Sequence, residues 1–245
     1  MLPRLPLLML LAFALPATAE PKPGRELRSD QCGITTPYDV LVDSGGVWLR
    51  HGVQAPHEVV FHDGELSLDG KMVAVTDADA ATLRRMEASA RRLMPAVASL
   101  AGEVVSLTFD ALDGVVEVMT GSQNSRKVVA MRRDAQRWVD GTLGRGYWER
   151  DAFAEGFDAR VEEGVETLTA SLGRSAMWQV FTGRAGAMER RADAMEGALE
   201  QRLDARGKLL EAQADALCPQ VQALADLHDS LQVQFNGQPL RLLHR

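Results

Sequence analysis

Two Asp-Gly pairs, Asp63-Gly64 and Asp69-Gly70, constrain the fold of this chain more tightly than any other feature of its sequence. An Asp-Gly pair accepts the positive φ that a two-residue hairpin turn demands at both central positions, and each pair here is flanked by alternating residues. With two-residue turns the register follows directly. Phe61 stands opposite Leu66 and Leu66 opposite Val73, so Phe61, Leu66, Leu68, Val73 and Val75 share the face turned toward a core. The stretch Val47 to His51 pairs with Glu58 to His62 across the loop Gly52 to Pro56, which extends the meander to about four strands. A small antiparallel sheet with one apolar side needs a second layer, and the sequence has to supply it.

Helical periodicity begins immediately after the last strand. Thr76 is placed to cap a helix whose first turn carries Asp77 and Asp79, and Leu83, Met86, Ala90, Leu93, Met94 and Val97 recur at three- and four-residue spacing. Pro95 is expected to end or kink this helix. A second helical stretch carries Val104, Leu107, Ala111, Leu112, Val115, Val116 and Met119, and Gly121-Ser122 ends it. A third, from about Asn124 to Leu143, carries Val128, Met131, Ala135, Trp138 and Val139. Gly141, Gly144 and Gly146 then mark a flexible connection.

Beyond Asp151, Phe153, Phe157, Val161, Val165, Leu168 and Leu172 form another stripe. A very long one follows from Met177 through Phe181, Met188, Met195, Leu199, Leu203 and Leu210 to Leu217, with no proline between Ser175 and Leu217. Unbroken, it would span roughly 60 Å at 1.5 Å per residue. Gly207 is the expected break, Cys218-Pro219 is expected to stop or kink the segment, and a last helical turn or two holds Val221, Leu224 and Leu227. Asn236-Gly237, between two alternating runs, predicts a closing hairpin.

The chain carries two cysteines, Cys32 and Cys218. Its first 19 residues read as a cleavable secretory leader: Arg4, then an apolar run from Leu5 to Leu15, then Ala17-Thr18-Ala19. The apolar run is far shorter than the roughly twenty residues an anchor needs. Export carries both cysteines into an oxidising compartment, which favours one disulfide over two buried thiols, and a redox pair would show the C-x-x-C spacing missing here. Such a bridge would bring the two β regions together. The expected organisation is therefore a leader over residues 1–19 and a single α+β domain over 20–245. Within that domain the β-meander occupies 36–76, a helical part 77–230 and a β-hairpin 231–243, and a mixed sheet is covered by helices.

The early cysteine, the run FHDGELSLDGKMVAVT from Phe61 to Thr76, Leu93-Met94-Pro95, and the late Cys218 before a closing strand together resemble the YggN-like family of exported bacterial proteins. The resemblance implies export to the periplasm and the overall build. It carries no catalytic residues.

Composition narrows the function. The net charge of −7, more negative still without Arg4, disfavours nucleic acid, which needs clustered positive charge. After the leader, Glu103, Asp110, Asp113 and Glu117 interrupt the most hydrophobic segment, so no integral membrane span is expected. Motifs for hydrolysis (Gly-x-Ser-x-Gly, His-Glu-x-x-His, Ser-x-x-Lys) do not occur, and no catalytic residue, cofactor site or metal site is assigned. His51 and His57 face each other at the mouth of one loop with His62 nearby, but alternation turns His62 away and the default reading is polar strand positions. Glu162-Glu163, and Asp110 with Asp113, read as solvated helix faces.

Met177, Phe181, Met188, Met195 and Leu199, with Trp178 close by, form the candidate interaction surface, since a stripe longer than one domain covers leaves part of itself for a partner. The polar face of that helix mixes Glu189, Arg190, Arg191, Asp193, Glu196 and Glu200, which disfavours an anionic membrane. The expectation is an exported envelope protein that contacts another envelope protein or itself. A periplasmic hydrolase or a small-ligand carrier, its site assembled by the fold, is the alternative. A carrier would show a closed apolar cavity between sheet and helices, an enzyme a pocket with convergent polar groups, and a protein binder an exposed apolar groove or strip.

Overall fold

Both Asp-Gly pairs make the turns expected of them. Asp63, Gly64, Asp69 and Gly70 all have positive φ, and Phe61 pairs with Leu66 and Leu66 with Val73. In the computed structural model, residues 27–29, 32–53, 55–121, 125–149 and 185–245 are described. Within them the architecture is α+β. Strands β1 (Leu27–Ser29) and β2 (Ile34–Thr36) pair with each other. Strands β3 (Asp39–Asp43), β4 (Gly46–Arg50), β5 (Glu58–His62), β6 (Glu65–Leu68) and β7 (Lys71–Val73) form the meander.

The meander is one strand longer than expected, and β8 (Tyr147–Trp148) adds a sixth at the free edge of β3, giving the order β7-β6-β5-β4-β3-β8. The stretch 77–230 is therefore not wholly helical. Every pairing among the described residues is antiparallel, so the sheet is not mixed.

Helix α1 (Asp77–Thr120) covers the core face. Thr76 caps it, its Oγ1 accepting from the Asp79 amide at 3.1 Å, and Gly121 ends it at φ 75°. Pro95 does not end the helix, and the two stretches read from the sequence are one. The reason lies in the phase of the stripe. Leu83, Met86 and Met94 pack on the sheet, while Val105, Phe109 and Val116 continue the same helical face into a second core with Val128 and Val139. Packing on both sides of Pro95 outweighs the missing hydrogen bond.

The same stripe makes α1 long and apolar enough to cross a membrane by length and composition, as the core helix of a folded domain can also be. In the fold, Leu83, at 0 % exposure, sits under the sheet with Leu66 and Val59. Burying each such side chain contributes about 1.5–3 kcal/mol.

Helix α2 (Arg126–Gly141) folds back on α1. The glycine-rich run after it is a built corner and not a flexible connection. Leu143, at 2 % exposure, plugs the core within a 3₁₀ turn (Leu143–Arg145), and Gly146 brings the chain onto β3, its carbonyl accepting from the Val42 amide at 2.8 Å.

Helix α3 (Ala185–Asp229) runs through both Gly207 and Pro219, so the expected break at Gly207 does not occur and Pro219 does not stop the helix. It packs along α1. Cys32 and Cys218 form a disulfide. Strands β9 (Gln234–Phe235) and β10 (Gln238–Pro239) make the closing hairpin, with Asn236 and Gly237 at positive φ. Thr35 and His244 exchange two backbone hydrogen bonds of 2.8 Å, and Leu231, Val233, Leu240 and Leu242 join the sheet's core. The two ends of the chain are thus clasped on one side of the molecule.

Candidate functional site

An apolar hollow lies where α1, α3 and the β3 edge of the sheet meet. Ala90, Leu93, Met94, Val97 and Leu100 come from α1, and Ala214, Leu217, Val221 and Leu224 from α3. Val40, Val42, Trp148, Ile34 and Cys32 close it from the strand side, around a volume of about 350 Å³. It is a cleft and not a sealed cavity, and none of the described residues lining it is charged. Small side chains on facing helices, Ala90 and Ala214, keep the walls from closing. The α1 wall of this cleft is continuous with the sheet's core, to which Met94, Ala90 and Val97 also belong.

A second hollow of about 420 Å³ adjoins the first, with Val42 and Met94 lining both. Its chemistry differs. Arg91, Arg145 and Asp43 border it together with the corner Leu143–Gly146. Arg91 pairs with Glu87 at 2.6 Å and donates to the carbonyls of Asp43 and Ser44, while Asp43 Oδ1 accepts from the Gly45 amide at 2.8 Å. Arg145 makes no side-chain hydrogen bond or ion pair among the described residues.

The buried polar groups elsewhere hold strands and helices together. Glu87, at 3 % exposure, accepts from His62 Nδ1 at 2.9 Å, from the Asp63 amide at 2.8 Å and from Arg91. Asp79 ties the start of α1 to the closing segment by accepting from the Gln232 amide at 2.9 Å. His228 Nε2 lies against both the Leu242 amide at 2.9 Å and the Leu240 carbonyl at 3.2 Å, and Nδ1 faces Asp229 Oδ1 at 3.3 Å. Burial lowers the His228 pKa against the opposing pull of the Leu240 carbonyl and Asp229. None of these groups lines the apolar cleft.

The residues singled out from sequence fall in three groups. His51 and His57 do meet at the loop mouth, the His51 amide donating to the His57 carbonyl at 2.8 Å, but His51 Nδ1 accepts from Val53 and its ring packs edge-on to Tyr38. His62 is engaged by Glu87. Among the described residues no three His, Cys, Asp or Glu side chains converge as a metal-ligand set.

Asp110 and Asp113 are not a solvated face. Both pair with Arg132 of α2, at 2.7 and 3.2 Å, and Arg206 of α3 joins Asp110, so the acids tie three helices together. Burial raises the Asp113 pKa, Arg132 opposes, and Asp110 and Glu117 add to the rise. Met177, Phe181 and Glu162-Glu163 lie outside the described residues. So do the side chains of Met188, Met195 and Leu199, whose backbone belongs to α3.

The apolar cleft was not located from sequence. Its only sequence signal is alanine at stripe positions, Ala90 and Ala214, where leucine would have closed the gap.

Fold and hollow together define a disulfide-closed α+β protein with an apolar cleft between its sheet and its two long helices. The chain belongs to a family described as protein of unknown function (DUF2884), whose family model matches residues 32–243. No curated protein and no solved structure matches it.

Proposed function

We propose that this is an exported, non-enzymatic binding protein of the bacterial envelope, one of the YggN-like proteins, that takes an apolar ligand into the cleft between α1, α3 and β3. The single observation that carries the reading is the cleft of about 350 Å³ with no charged lining residue among the described residues, a volume within the roughly 300–1,000 Å³ of ligand sites. An enzyme needs polar groups that converge on a hollow; Glu87 borders one of about 360 Å³ with His62, Asp63, Arg84 and Arg91, but its carboxylate is taken up there by His62, the Asp63 amide and Arg91. Export rests on the leader pattern of residues 1–19, with the disulfide in keeping with an oxidising compartment. On this reading the mature chain begins at Glu20, which mass spectrometry of the envelope fraction checks.

The binding test uses the neutral dye N-phenyl-1-naphthylamine. Its fluorescence should rise on the signal-free protein and fail to rise on Ala90→Trp and Val221→Trp, each of which fills the cleft from one wall. An unchanged response in both folded variants would place the dye elsewhere and end the reading.

A second reading, contact with another protein, has its own observation. On the sheet face opposite the core, Tyr147, Leu41, Trp48, Val60, Ser67 and Met72 stand in one register row across all six strands, with Met72 66 % and Tyr147 36 % exposed. An apolar row of this kind suits a partner surface.

A further inference from the structure

We infer that the ligand is a single-chain amphiphile with one negative charge, a long-chain carboxylate, its aliphatic tail in the apolar cleft and its carboxylate on Arg145. The inference rests on the binding reading above and adds the chemistry of the ligand's other end.

Three observations lead to it. First, among the described residues the side chains lining the cleft are apolar apart from Thr35, Thr36 and the disulfide-bonded Cys32. The Thr36 hydroxyl is already donated to the Leu242 carbonyl at 2.8 Å. Second, the charged hollow lies directly beside the cleft, with the side chains of Val42 and Met94 lining both. A chain passing Met94, an unbranched side chain that adapts its shape, reaches from one to the other. Third, the charged hollow holds one uncommitted cation. Glu87 and two carbonyls occupy Arg91, whereas the exposed Arg145 guanidinium makes no side-chain bond among the described residues.

The local charge balance selects the headgroup. Asp43 borders the same hollow, and although its Oδ1 is held by the Gly45 amide, its negative charge opposes a doubly charged phosphate more than a singly charged carboxylate. A carboxylate also matches the planar fork of a guanidinium with two parallel hydrogen bonds. The corner that presents Arg145 is anchored by buried Leu143 beneath it and by Gly146 against Val42, so the cation sits on a fixed support.

Isothermal titration with laurate and with dodecanol, both below the concentrations at which they aggregate, separates the two levels of the claim. Laurate should bind one per chain, about tenfold tighter than dodecanol. Arg145→Glu, an exposed change that leaves the melting temperature unaltered, should remove that advantage and leave dodecanol binding intact. Ala90→Trp and Val221→Trp should remove binding of both. Equal affinity for the two ligands, or an unchanged laurate affinity in Arg145→Glu, overturns the carboxylate inference while the binding reading stands. Binding of neither ligand overturns both.

Discussion

At the scale of single residues, the informative positions are those where one atom has no freedom. Gly146 sits at φ 80°, and a Cβ there would lie 2.0 Å from the Val42 carbonyl oxygen. Gly146→Ala should therefore cost about 3 kcal/mol or more in urea unfolding, by clash and strain together. His228 is the pH-sensitive position. Burial, the largest influence on it, holds its folded pKa below the ordinary value near 6.5, so the unfolded chain takes up a proton that the folded chain resists. Its contribution is fully present above about pH 6.5 and is lost as pH falls toward the folded pKa. Unfolding free energy measured from pH 7.5 down to 5 should decline, and His228→Gln should flatten the decline even though it is less stable at neutral pH.

At the scale of elements, legibility tracked the range of the forces involved. Turn chemistry is local, and Asp63-Gly64, Asp69-Gly70 and Asn236-Gly237 all formed where their φ preferences placed them, with the register of Phe61, Leu66 and Val73 following. Helix ends were legible only where a cap was local, as at Thr76 and Gly121. Pro95, Gly207 and Pro219 misled, because the tertiary packing that carries a helix through a weak residue is not written beside that residue. The edge strand Tyr147–Trp148 was hidden in two residues, and the cleft was hidden because a gap between helices depends on which small side chains come to face each other. Pro95→Ala tests the account of α1. Restoring an amide to an intact helix should raise stability by about 1 to 3 kcal/mol and leave the circular dichroism spectrum unchanged.

At the scale of the whole molecule, the disulfide and the Thr35–His244 ladder clasp the two ends of the chain beside the cleft, and Cys32 itself forms part of its wall. The bridge spans 186 residues, for which loop entropy gives an upper bound of roughly 5 kcal/mol. Replacing both cysteines with serine should lower stability by about 2 to 5 kcal/mol in chemical denaturation, the usual range for native bridges. The central proposal is that the cleft beside this clasp takes an apolar ligand, and methyl NMR tests it directly. On titration with dodecanol, the methyl groups of Val40, Val97, Leu217 and Val221 should shift together and saturate. Shifts confined to Leu41, Val60 and Met72 on the opposite sheet face, or no saturable shift at all, would contradict it.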